Sequence, residues 1–432
     1  MSETAKASPL RIFGQPKMAV LLALGFSSGL PLFLTSRTLQ AWMTKAEVDL
    51  TTIGLFSMVA LPYSLKFLWA PLLDRYVPPF LGRRRGWLVI TQGLLLLTIA
   101  AMSIHNPRLG LQALAINALL LAFFSATQDI AVDAYRADVL TEREMGAGAG
   151  AYVIGYRIAL IVVGSLALVL ADQMPWPVVY LMLSALMLVG IVTAFFAPEP
   201  VLRDAPPQTI AQAVVLPFKE FFERRGAVSG AIVLLFIVLY KYADGIANNM
   251  ATPFLLQTGF SQTEIGVVLG GVGIFATIVG VVAAGWFIAK AGINRSLWIF
   301  AVLQAASNLA YYVLSLIGND RTAMVVTILI ENFCVGLVTA GMLAYMMSVT
   351  NKRFSATQFA LLSSLAAASR DVLVAPAGKL AETLGWPGFW LLSVAAIIPA
   401  MVLLPFVAPW GQDHPTAAAP HDGETVPAEA AA

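Results

Sequence analysis

Thr51-Thr52-Ile53-Gly54 opens an apolar stretch, and 212 residues later Thr263-Glu264-Ile265-Gly266 opens another. Arg157 and Arg370 each stand inside a long apolar run at an offset of 213, and Trp176-Pro177 and Trp386-Pro387 each open one at an offset of 210. Three matches at nearly one spacing, each in the equivalent segment, indicate two parallel halves. Around them, apolar runs of roughly 20 residues, enough to cross a hydrocarbon core, recur along the chain. The first six runs cover 18–43, 51–73, 86–105, 109–134, 147–171 and 175–197; the second six cover 227–256, 262–289, 295–317, 321–348, 357–381 and 386–409. This pattern predicts an all-α integral membrane protein of twelve helices in two parallel six-helix halves. The first run is too long for the apolar core of a signal peptide, so it is expected to stay as a helix.

Composition agrees. Of 432 residues 59% are hydrophobic and 12% charged, with a mean hydropathy of +0.80. A soluble domain carries about 25% charged residues, so an ordinary soluble enzyme is excluded. A net charge of +2 argues against a nucleic-acid partner. The single cysteine, Cys334, allows neither an internal disulfide nor a thiolate metal site, and two of the three histidines, His414 and His421, lie in the tail. Bond-breaking chemistry, a metal and a cofactor are therefore not expected.

Loop charges set the expected orientation. With the N-terminus in the cytoplasm, inner loops hold seventeen of the 26 basic residues and outer loops only Lys45, Arg108, Arg321 and Lys379. The chain then divides into a cytoplasmic segment 1–17, a first half 18–197, a cytoplasmic linker 198–226, a second half 227–409 and a polar cytoplasmic tail 410–432 expected to be disordered. The linker contains an amphipathic stretch, Thr209 to Arg225, ending in a basic cluster and read as an interfacial helix.

Ionisable residues inside apolar runs cost about 2.5–3.5 kcal/mol each and should face a protein interior or a watery cavity. The basic set is Arg37, Lys66, Arg157, Lys241 and Arg370; the acidic set is Asp129, Asp133, Asp244, Glu331 and Asp371. Arg157 and Arg370, at related positions of the two halves, are expected to approach one cavity from opposite sides and capture carboxylates. Arg37, Lys241, Gln128 and Asn249 complete the expected cargo site, with Asn308 and Asn332 as further polar lining. Asp129 is the first choice for a proton carrier, since it lies deeper than Asp133, and Asp244 and Glu331 are secondary choices. Asp133 is expected to join a cytoplasmic network with Arg136, one turn away.

The loop from Asp74-Arg75 to Gly82-Arg83-Arg84-Arg85 is similar to the signature loop of major facilitator proteins. That resemblance implies a cytoplasmic gate in which Asp74 bonds a cation, with Arg136 the expected partner. The second half carries a degenerate echo from Gly285 to Arg295, implying a weaker gate. Glycines 266, 270, 273, 280 and 285 are read as close-packing positions.

Longer motifs narrow the family. Leu10-Arg11-Ile12-Phe13, Gly29-Leu30-Pro31-Leu32, Leu39-Gln40-Ala41-Trp42-Met43, Lys66-Phe67-Leu68-Trp69-Ala70-Pro71, Ser125-Ala126-Thr127-Gln128-Asp129 and Phe354-Ser355-Ala356-Thr357-Gln358-Phe359-Ala360 occur in order. They resemble the AmpG muropeptide permeases of Gram-negative bacteria. The resemblance implies a proton-coupled importer in the inner membrane, and a monomer is expected. Its cargo would be N-acetylglucosaminyl-1,6-anhydro-N-acetylmuramyl peptides, taken from periplasm to cytoplasm in cell-wall recycling and linked to beta-lactamase induction. It also implies a role for an acid at Asp129. Import of another anion, such as acyl-coenzyme A, would share the fold.

Overall fold

The computed structural model describes residues 14–48, 52, 56–200, 207, 209–369, 373–374 and 376–410. Most of the repeat motif at 51–54, Arg370, Asp371, the terminal segment before residue 14 and the tail from 411 lie outside the described residues, and the side chain of Arg37 does too. The first half consists of α1 (Pro16–Leu34), α2 (Arg37–Lys45), α3 (Leu61–Leu65), α4 (Ala70–Arg75), α5 (Arg83–Met102), α6 (Leu111–Val139), α7 (Glu142–Ile161), α8 (Ala167–Gln173), α9 (Trp176–Ala185) and α10 (Met187–Phe196). The linker helix is α11 (Ile210–Arg225). The second half comprises α12 (Ala227–Gln257), α13 (Gln262–Val267), α14 (Ile274–Ile317), α15 (Arg321–Val349), α16 (Ser355–Ala368), α17 (Ala377–Ala395) and α18 (Ile398–Val407).

Among the described residues nine helical stretches are long and apolar enough to cross a membrane. One of them, Glu264–Ile317, has 54 residues. At about 1.5 Å per residue it is far longer than the roughly 30 Å core. It is two spans, divided at Gly292, whose φ of 81° is left-handed and open to glycine without strain. Two further crossings fall below that length: the stretch 56–75, which Pro62 and Pro71 break into short α- and 3-10 pieces, and α16. With these, the structure matches the twelve-span pattern.

Close approach of backbones organises each half. A methyl group at Gly155 would overlap the carbonyl of Leu22, which fixes α7 against α1. In the second half Gly280 and Gly336 meet across α14 and α15 in the same manner. Of the other glycines read as packing positions, Gly273 lies against Asn332, whereas nothing stands near a Cβ built at Gly266, so that position serves no close contact. The halves meet along α7 against α14 and α15, and α6 and α4 against α16.

Candidate functional site: a charged lock between the halves and a buried ionic path

The loops expected on the cytoplasmic side gather at one end of the bundle, here called the basic face. Lys17 donates to Glu144 at 3.2 Å and to the carbonyl of Val139, and Tyr135 donates to the carbonyl of Pro198. Glu199 accepts from the backbone amides of Arg84 (2.9 Å) and Arg85 (3.0 Å), so a carboxylate occupies the positive end of α5 and holds its first turn. That turn places three arginines in three directions. Arg85 Nε donates to the carbonyl of Ala194, Arg83 Nη1 donates to the carbonyl of Asp74, and Arg84 points between the halves. Arg75 stands over the ring of Tyr76.

Arg84 and Asp74 are the centre of the lock. Asp74, fully buried at the end of α4, accepts from Arg84 Nη2 at 3.0 Å. It also accepts from the second half: the Thr357 amide and Oγ1, both 2.8 Å, and the Ala356 amide at 3.3 Å. The carboxylate therefore caps the N-terminus of α16, where unpaired amides and the helix dipole favour an anion. Arg84 Nε donates to Asp138 at 2.6 Å and its Nη2 to Ser355 Oγ at 2.6 Å. Lys352 donates to the carbonyls of Asp138 and Leu140, capping the C-terminus of α6 from the opposite half. These hydrogen bonds join the two halves, so the structure is closed on the basic face.

The cation paired with Asp74 is thus Arg84, not Arg136. Arg136 is drawn away because Asp133, one turn earlier on α6, takes it in an ion pair and also accepts from Lys66 at 3.3 Å. The expected network of Asp133 with Arg136 is present. The guanidinium of Arg136 lies 3.9 Å from the ring centroid of Tyr152 and 5.6 Å from that of Phe359, so it is wedged between α7 of one half and α16 of the other.

Asp129 continues this path into the membrane. Its Oδ1 is buried without a hydrogen-bond partner among the described residues. The charges acting on it most strongly are Lys66, Asp133 and Arg136. Arg157 is not among them; it is half-buried, and the carboxylate that acts on it is Asp244, across the interface. Asp244 accepts from Lys241 at 3.0 Å and from Asn248 at 3.1 Å on α12. Arg157 thus feels the Lys–Asp–Asn cluster of the second half, and Asp129 feels the Lys66, Asp133 and Arg136 charges of the first.

Other expected site residues divide similarly. Asn249 is exposed on α12. Gln128 is fully buried inside the first half, donating to Ser27 at 3.3 Å, so in this closed arrangement it packs helices instead of lining a cavity. Asn308 is likewise buried, donating to the carbonyl of Ser393. Glu331 accepts from Tyr311 at 3.3 Å and Asn332 at 2.9 Å, and Tyr311 stacks on Trp390 at 4.2 Å, which sets Glu331 within the second half. The sequence reading gave no role to Asp138, Glu199, Lys352, Ser355 or Thr357. The turn Asn351 to Ser355 before an apolar run is a helix-start signal, which would have placed the Ser355 and Thr357 donors at a helix end.

A two-half helical bundle with charge networks between its halves and at its centre defines a membrane transporter of the alternating type. The model of the Major Facilitator Superfamily matches residues 21–370. The chain is 48% identical over 397 residues to the anhydromuropeptide permease of Escherichia coli (strain K12), covering 91% of this chain and 80% of that protein. It is 32% identical over 407 residues to putative transporter AmpG 4 of Rickettsia felis, covering 92% and 98%. Among solved structures it is similar to the E. coli fucose:proton symporter FucP (TM-score 0.69, 14% identity, 90% and 98% covered). It is also similar to the human organic anion transporter MFSD10 (TM-score 0.64, 17% identity, 92% and 98% covered). The chain belongs to the major facilitator superfamily and, within it, to the AmpG-type muropeptide permeases. It is a multi-pass membrane transporter of small molecules and not an enzyme.

Proposed function

We propose that this transporter carries N-acetylglucosaminyl-1,6-anhydro-N-acetylmuramyl peptides from periplasm to cytoplasm, with protons as the driving ion. The observation that carries this reading is the 48% identity to the E. coli anhydromuropeptide permease over 91% of the chain. On this reading the protein is a monomer in the inner membrane with both termini in the cytoplasm, binds no nucleic acid, and needs no cofactor beyond the proton gradient. The basic face is the cytoplasmic one, and the closed lock leaves the site facing the periplasm.

Peptide carboxylates of the cargo meet Arg157, with Arg370 and Arg37 as further cations, while Lys241 and Asn249 offer donors from the second half. In the free protein Asp244 offsets Lys241 and Arg157, so an arriving carboxylate competes with Asp244 for both. Asp129 takes up the proton. Neutralising it leaves Lys66 and Arg136 with Asp133 as their shared partner, and Arg136 then shifts against Phe359, the face of α16 that Asp74 caps. This route runs from Asp129 through Arg136 to the lock. Asp244 and Glu331 are the acids available for a second proton. A second proton matters because one inward charge gains about 2.3 kcal/mol per 100 mV, and an anionic cargo entering with one proton cancels that gain.

The test is uptake of purified anhydromuropeptide into proteoliposomes with and without an inside-alkaline gradient. Uptake that rises with the gradient and collapses with protonophore is expected. Folded, correctly inserted protein that takes up none refutes the cargo; uptake indifferent to the gradient refutes the coupling.

A further inference from the structure

The linker helix α11 is docked on the lock. Thr209 caps it by accepting from the Gln212 amide, and Glu220 near its other end accepts from Gln358 Nε2 (2.7 Å), Asn351 Nδ2 (2.8 Å) and Arg224 Nε (2.6 Å). Gln358 also donates to the carbonyl of Pro217 at 2.9 Å, and Arg224 to that of Val349 at 2.9 Å. Four of these polar contacts reach outside α11 and hold it over the start of α16. Beneath it lies a cavity of about 290 Å³, walled by Phe218, Phe221 and Phe222 of α11, Leu234 of α12, and Leu361 and Leu365 of α16. Thr357 and Gln358 also line it.

An apolar cavity of about 150 Å³ already stays dry and accepts a hydrocarbon guest, so this one is a poor site for water. The apolar face of α11 continues outward from it, with Phe218 40%, Val214 41% and Val215 57% exposed. The charges at the rim are unequally served. Lys219 pairs with Glu223 and Arg224 with Glu220. Arg225 has a buried Nε without a hydrogen-bond partner, and its guanidinium stands 5.8 Å from the ring centroid of Phe221, a wall of the cavity. Burial holds the Arg225 pKa below the ordinary arginine value, the result of desolvating a guanidinium that no nearby carboxylate fully offsets. A hydrocarbon slot with a desolvated cation at its rim matches one amphiphile, which has an apolar tail and an anionic head.

We propose that the cavity under α11 binds one anionic phospholipid from the leaflet on the basic face, with an acyl chain between α11 and α16 and its phosphate at Arg225. The helix is then a roofed lipid site resting on the lock. One of its walls is the turn of α16 whose amides cap against Asp74, so the slot is complete when that turn is in place.

Native mass spectrometry of the full-length protein, titrated with phosphatidylglycerol and with phosphatidylcholine of the same chains, tests this. One phosphatidylglycerol is expected to be retained at least tenfold more tightly than phosphatidylcholine. Arg225→Gln is expected to bring that preference close to one while leaving phosphatidylcholine unchanged. Leu365→Trp, which fills the slot, is expected to weaken both lipids at least tenfold, and the smaller Leu361→Phe covers the case in which the tryptophan variant does not fold. Unchanged phosphatidylglycerol retention in the folded slot-filling variants, or equal retention of the two lipids by the unaltered protein, overturns the proposal. Loss in Arg225→Gln without loss in the slot variants shows a headgroup held at the surface only, and overturns it too.

Discussion

Replacing Asp74 by asparagine keeps the shape of the lock and removes its charge. Asp74 is fully buried and accepts four hydrogen bonds, three of them from Ala356 and Thr357 of the opposite half. A bond to a charged acceptor contributes about 1.5–3 kcal/mol and a neutral one about 0.5–1.5; the asparagine oxygen keeps the two Thr357 contacts, each weaker by about 1 kcal/mol, while its NH2 accepts nothing and the long Ala356 contact is lost at about 1.5 kcal/mol. Loss of an anion at the N-terminus of α16 removes about 1 kcal/mol more. The closed arrangement is thereby disfavoured by about 4.5 kcal/mol, about 10³-fold in population. A cysteine reporter reads this directly. In a Cys334→Ser background, Ala360→Cys places a thiol at a fully buried position of α16, one turn beyond Ala356. Its labelling by a maleimide added to the basic face is expected to accelerate at least tenfold in Asp74→Asn, rising toward 10³ until opening is no longer limiting. Thr357→Val removes one hydroxyl contact to a charged acceptor, about 1.5–3 kcal/mol, and is expected to accelerate labelling about 10–100-fold. Labelling of folded Asp74→Asn at the unaltered rate, or a larger effect from Thr357→Val than from Asp74→Asn, refutes the assignment of Asp74 as the centre of the lock.

Asp129→Asn is expected to abolish the rise in uptake caused by an inside-alkaline gradient while cargo exchange between equal pools continues; gradient-driven uptake at the unaltered level removes Asp129 from the proton path. Arg157→Gln is expected to raise the half-saturating cargo concentration about 10–100-fold, from loss of one charge-assisted contact of about 1.5–3 kcal/mol, and unchanged saturation curves place cargo elsewhere. Glu220→Ala removes the acceptor shared by Gln358, Asn351 and Arg224; limited proteolysis in the linker is expected to quicken severalfold, and an unchanged cleavage rate shows that α11 is held by its apolar face alone. Gly155→Ala drives a methyl group into the Leu22 carbonyl and is expected to cost about 3 kcal/mol, the upper part of the overpacking range, read as a lower Tm by tryptophan fluorescence.

Several features of the site were legible before any coordinates. Runs of apolar residues and the 210–213 offset between matched motifs required twelve crossings in two halves. The Asp133–Arg136 pair followed from a spacing of three residues on one helix, because such neighbours share a face. The partner of Asp74 did not follow. Arg84 reaches it because Glu199, 115 residues away from Arg84 in sequence, anchors the first turn of α5 and fixes where each arginine points. Gln128 and Asn308 illustrate the same limit: a polar residue in an apolar run must face something polar, and the chain alone does not say whether that is cargo or the hydroxyl and carbonyl of a neighbouring helix.

Hydrophobic length and the placement of charge are local properties, so class, number of crossings and the side of the bundle on which the arginines gather are set by the chain residue by residue. Pairing between distant helices is a property of packing. Only the folded bundle brings α4 onto the end of α16, sets Arg136 between Tyr152 and Phe359, and lays α11 across the lock. Each of those contacts joins segments whose sequences carry no mark of one another, because side-chain direction at the meeting point is decided by how closely glycine-lined helices approach.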